Sequence, residues 1–106
     1  MWYFQLIIGL TISLCMWILN GDIPLDQAAL NGLAGCVDFL FWFIQRVINP
    51  AYLDDNARAI LIPVLEFLRD IIREVASLLP PGHELIASIF RLSEAIANFL
   101  FDIGVR

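Results

Sequence analysis

The sequence predicts an all-α chain of about four helices: one or two hydrophobic helices of the transmembrane type, followed by an amphipathic antiparallel helical hairpin. Three observations lead there. Residues 1–21 contain no charged side chain, and residues 2–19 form an almost unbroken apolar run. A second stretch, residues 28–44, carries a single charge, Asp38. From residue 55 onward apolar positions recur with a helical period, broken by the turn Pro80-Pro81-Gly82-His83. No segment alternates as a half-buried strand would, and there is no internal repeat or low-complexity tract.

The first helix, residues 1–20, has membrane length. Eighteen helical residues reach roughly 27 Å, close to the hydrocarbon thickness of a bilayer. Trp2, Tyr3 and Trp17 stand near its two ends, where amphipathic rings prefer the membrane interface. A secretory signal would start with a basic residue and place small residues ahead of the cut. Here no Lys or Arg precedes the run, and Leu19 occupies a position where a small residue is favoured for cleavage after Gly21. The segment therefore reads as a resident helix. The alternative is a cleaved leader, which would leave residues 22–106 as an exported acidic helical domain with one cysteine. Asn20-Gly21-Asp22-Ile23-Pro24 ends the helix.

The second helix is expected over residues 25–49, stopped by Asn49-Pro50. Its first half is rich in small residues, Gly32 and Gly35 among them, and its second half is bulky from Phe39 to Ile44. Small residues let another helix backbone approach closely, the main device for helix association where no water drives the contact. Gln27, Asn31, Asp38, Gln45 and Asn49 recur at steps of four and seven and share one face. That stripe fits a spanning helix turning its polar side toward partners, and it also fits an amphipathic helix on a surface or in a soluble bundle. One charge in seventeen residues favours spanning. Asp22 and Asp26 precede this segment and Arg46 and Arg58 follow it, so both termini are expected in the positive-inside compartment.

Residues 55–106 read as the hairpin. Asp54, Asp55 and Asn56 supply capping and first-turn negative charge for a third helix extending to about Leu79. Leu61, Leu65, Leu68, Ile72 and Val75 fall on one face, with Arg58, Glu66, Arg69, Asp70, Arg73 and Glu74 on the other. Glu66/Arg69 and Asp70/Arg73 have the spacing of weak helical ion pairs. Pro63 predicts a kink or a delayed start. In the fourth helix a broad apolar face, widened by Phe101 and Val105, leaves a narrow polar stripe of Glu84, Ser88, Arg91, Glu94, Asn98 and Asp102. So narrow a stripe implies burial on more than one side, against other subunits or in a membrane interface.

Composition narrows the function. At 106 residues the chain is one domain at most, and 60% apolar residues with a mean hydropathy of +0.81 exceed the usage of soluble domains. A free monomer in water is not expected. Eleven acidic residues against six scattered arginines, a net charge of -5, argue against nucleic acid, which needs clustered cations. Cys15 and Cys36 form no metal or redox motif and read as small buried hydrophobes, a disulfide between them staying open. His83, beside Glu84 in the turn, reads as a solvent-exposed turn residue rather than a catalytic or pH-sensing one. No nucleophile motif, phosphate loop or metal-ligand spacing is present, so no catalytic, cofactor-binding or metal residue is assigned and no cofactor is expected.

The expected function is non-enzymatic: a small integral-membrane protein that self-associates, or joins other membrane-protein subunits, as a structural or accessory component. Lipid and further copies are the expected partners. The residues singled out for helix packing or for facing a pore are Asn31, Gly32, Gly35, Asp38 and Gln45. Asp38 is the most suggestive, because a carboxylate inside an apolar span is costly and faces a partner or a water path. In layout alone the chain resembles holins and viroporins, which permeabilise membranes, although the basic tail usual in holins is missing. It also resembles pilins in layout, as an exported filament subunit, and a secreted lipid-binding bundle is a further alternative.

Overall fold

A computed structural model describes residues 2–104. It contains α1 (Trp2–Asn20), α2 (Gln27–Trp42), α3 (Asp55–Ala76) and α4 (Glu84–Asp102). The expected all-helical architecture is present, and α1 and α2 with its extension are long and apolar enough to cross a bilayer. Val105, expected to widen the apolar arc of α4, lies outside the described residues.

Local chemistry sets most boundaries. Gly21 takes φ 80°, a left-handed conformation that ends α1. Asp26 then caps α2, its carboxylate accepting from the Ala29 N–H at 3.0 Å, and Asp54 caps α3 through Ala57 N–H at 2.7 Å. The third helix runs through Pro63 from its cap at Asp54 and so has no delayed start. Pro63 and Ala59, whose carbonyl loses its helical donor, are both exposed, so the proline costs no buried hydrogen bond. The helix ends at Ala76 rather than Leu79, because Leu78 and Leu79 donate to the i−3 carbonyls of Val75 and Ala76 before Gly82 turns the chain at φ 84°.

α1 packs on α2 and α3, and α4 packs on α3 and α2, so the four helices form a square bundle with α1 and α4 on one diagonal. Gln5 of α1 lies with Val47 and Ala57, and Asn31 of α2 lies with Glu84 and Ser88. Hence α1 runs parallel to α3, and α2 runs parallel to α4. The core is continuous through all four helices: Phe4 and Ile8 from α1, Leu33 and Leu40 from α2, Leu65 and Leu68 from α3, and Leu92 and Ile96 from α4 are buried.

This corrects one expectation. The narrow polar stripe of α4 implies cover by other subunits or a membrane interface, yet α2 and α3 of the same chain cover its two sides. Phe90 and Phe101 of α4 stay exposed, as do Ile60 and Phe67 of α3, but the longest uncharged apolar surface lies on α1 and on the outward face of α2. Leu6, Leu10, Met16 and Trp17 of α1 are 44–59% exposed.

The expected ion pairs of α3 also differ. Among the described residues the one ion pair is Arg69–Asp70, at 3.3 Å. Arg73 lies instead over the ring of Phe90 on α4, 5.9 Å from its centroid, where the guanidinium gains a cation–π contact at the helix seam.

Candidate functional site

The polar residues of α2 are brought together with those of α4. Asn31 and Asp38 face His83, Glu84 and Ser88 in one hollow. Asp38 and Gln45 line the next, with Ser88 and Arg91. Gln45 continues into a third, opposite Asn98 and Asp102. Because α2 and α4 are parallel and both repeat polar residues at helical spacing, the two stripes meet as one seam along the bundle. The partner that the α2 stripe turns toward is α4.

Three of the five residues singled out by sequence, Asn31, Asp38 and Gln45, therefore lie in this seam. The two glycines do not. A Cβ on Gly32 would sit 3.8 Å from Leu14 Cδ2 of α1, an ordinary contact, and one on Gly35 would meet nothing within 4 Å. Neither glycine is required for a close approach inside the bundle. Both lie on the outward side of α2, in line with Ala28, Phe39 and Trp42.

Sequence reasoning missed Trp42, Arg46, Ser88 and Arg91 as members of the seam. Ser88 and Arg91 were visible as the α4 stripe, but which helix faces them depends on bundle topology. Arg46 was hidden by a second cause. Beyond Trp42 the chain forms a π-helical turn, Phe43–Val47, ending at Ile48 N–H to Phe43 O, 3.0 Å. Each residue of a wider turn advances by a smaller angle, so Arg46 lags a continued α-helix by roughly 50°. On an unbroken helix it would share the uncharged outward line of Gly35 and Phe39. The π turn brings it toward the seam, where it lines the same hollow as Arg91.

An aromatic cluster fixes this end. Phe43 stacks on Phe4 and takes an edge contact from Tyr3 at 5.9 Å, while Phe39 and Trp42 pack beside it at 6.0 and 6.4 Å. Asn49 then accepts from Ala51 N–H, and Arg58 donates to Pro50 O at 3.4 Å, tying the α2–α3 connection to α3. Arg46 and Arg58 lie toward the end that holds this connection and the start of α1, with Asp22, Asp26 and Glu84 at the other.

His83 is half-buried and serves the fold, because its Nδ1 accepts from the Leu85 N–H at 3.1 Å and caps α4. It is not the solvent-exposed turn residue that the sequence suggested. Cys15 is buried, Cys36 half-buried, and both are free thiols. Among the described residues no three His, Cys, Asp or Glu side chains group as metal ligands. Comparison with protein-family models, with curated proteins and with solved structures finds no match to this chain.

Proposed function

We propose that this chain is a small non-enzymatic helical membrane protein that self-associates as a structural or accessory subunit of a larger membrane assembly. The observation that carries the reading is the two-sidedness of the bundle. Around α1 the surface is uncharged and, apart from Gln5 and Asn20, mainly apolar, extended by Ile60 and Phe67 of α3 and by the outward line of α2. Along α3 the outward residues include Asp70, Arg73 and Glu74, all exposed. A charged side chain at the centre of a spanning helix costs about 2.5–3.5 kcal/mol on insertion scales. Apolar surface in water forfeits about 25 cal/mol per Å². No single solvent suits both sides, whereas copies that turn α1 to acyl chains and the α3–α4 side to water or to one another satisfy both.

The core contribution of α1 supports its retention in the mature chain. Cutting after Gly21 would remove Phe4, Ile8, Thr11, Cys15 and Ile18 from the buried set and open α2 and α3 to water. Intact mass combined with alkaline-carbonate extraction tests the reading. A full-length mass that stays in the membrane pellet, with a defined copy number on cross-linking, is expected. A mass beginning near Asp22, released to the supernatant, would sink it in favour of an exported helical subunit.

The α2–α4 seam favours one second reading, a permeabilising protein. In copies that turn their seams inward, Asn31, Asp38 and Gln45 would border a water path.

A further inference from the structure

One hollow in the seam, about 620 Å³, is lined by charged side chains that form no ion pair with one another among the described residues. Asp38, Arg46 and Arg91 all line it, and none of them belongs to the ion pair found among the described residues. Among the described residues Arg91 donates to Ser88 Oγ alone, at 3.1 Å. The indole of Trp42, 53% exposed, forms part of the wall. Two guanidiniums disfavour a simple cation in this space, and the carboxylate disfavours an anion carrying more than one charge. A ligand with both signs suits both ends.

We propose that this hollow binds a zwitterionic phosphodiester, the headgroup chemistry of phosphoethanolamine and phosphocholine lipids. Arg46 and Arg91 take the phosphate, and the Asp38 carboxylate with the Trp42 indole takes the ammonium. Guanidiniums form charge-assisted hydrogen bonds to phosphate oxygens, and indole faces attract ammonium groups. The π turn matters here because it brings Arg46 from the uncharged outward line to the hollow. Trp42 also stands at the Tyr3 end of the bundle, joined to Tyr3 through Phe39, which is the interfacial level expected for a headgroup. From there the outward line of Phe39, Gly35 and Gly32 leaves an uncharged path for acyl chains, with open space at Gly35. The lipid source rests on the membrane reading above.

Native mass spectrometry of the full-length chain in micelles with equimolar phosphatidylcholine, phosphatidylethanolamine and phosphatidylglycerol tests the proposal. Retention of the two zwitterionic lipids over phosphatidylglycerol by about tenfold is expected, the factor that corresponds to 1.4 kcal/mol. Arg46→Gln with Arg91→Gln should abolish that retention, and Asp38→Asn should move the preference toward phosphatidylglycerol, with circular dichroism confirming the fold of each variant. Excess glycerophosphocholine should displace the bound lipid. Equal retention of all three lipids, unchanged preference in the variants, or no displacement would overturn the site. Carbonate release of a chain that still binds glycerophosphocholine would instead overturn the membrane reading and leave the site standing. Membrane retention without headgroup preference would do the reverse.

Discussion

Phe4, in the first turn of α1, stacks on Phe43, the first residue of the π-helical turn, with ring centroids 4.2 Å apart and planes 13° from parallel. Both side chains are almost wholly buried. The pair joins the start of α1 to the end of α2 at the point where the helix changes pitch. Removing either ring leaves a cavity that α1, α2 and the connection must share.

Phe43→Ala should therefore destabilise the bundle by about 3–5 kcal/mol, the usual range for emptying a buried aromatic site. Phe4→Ala should cost a similar amount. The double variant should cost less than the sum of the singles, because the rings are in direct contact. Thermal unfolding in mild detergent checks this, and strict additivity would show that the stack contributes nothing beyond burial.

Ser93 is fully buried in the core, and its hydroxyl has no hydrogen-bond partner among the described residues. Thr11, also polar and buried, donates to Ile7 O at 2.7 Å and is satisfied. Burial of an unpaired hydroxyl costs roughly 1–3 kcal/mol. Ser93→Ala should raise stability by about 1 kcal/mol, or several degrees in Tm for a chain of this length. A fall in Tm would show that the hydroxyl finds a partner in solution.

The helices were legible because each carries its own signal: an uncharged run for α1, a polar stripe for α2, a helical apolar period for α3 and α4. Asp26 and Asp54 are local capping chemistry, and Gly21 and Gly82 are local turn chemistry. What sequence does not carry is which stripe meets which. Ser88 and Arg91 stand on a recognisable polar face, but only the parallel packing of α2 and α4 sets them against Asp38 and Gln45. Arg46 escapes because a π turn has no strong sequence mark, so helical phase carried past Trp42 assigns it to the wrong face. Pro63 misleads for the opposite reason: a proline on the exposed side of a helix is tolerated once packing of the other side fixes the backbone.

Gly32 and Gly35 are free of intramolecular crowding, so alanine at either position should stabilise α2 by about 0.5–1 kcal/mol through helix propensity alone. Leucine at Gly35, where a Cβ meets nothing within 4 Å, with alanine at Gly32, should leave the fold intact. It should nevertheless weaken self-association if copies meet on the outward face of α2, since small residues are what permit close helix approach in lipid. Cross-linking yield in vesicles separates the two effects. A Gly32→Ala, Gly35→Leu variant that is folded and cross-links as before would exclude that face as the contact.

Asp38 decides between the assembly subunit and the permeabilising protein. It is exposed on the seam, makes no ion pair among the described residues, and lies between Asn31 and Gln45 on the polar stripe. If inward-facing seams border a water path, a leucine there replaces a hydrated carboxylate by an apolar constriction, and dewetting closes such a path. Because the side chain is outside the core, Asp38→Leu should preserve the fold and the copy number. Loss of dye leak from vesicles with unchanged cross-linking is the outcome expected of a pore. Leak that persists in the variant removes Asp38 from any conducting path, and vesicles that never leak leave the seam to packing and lipid contact, as the subunit reading requires.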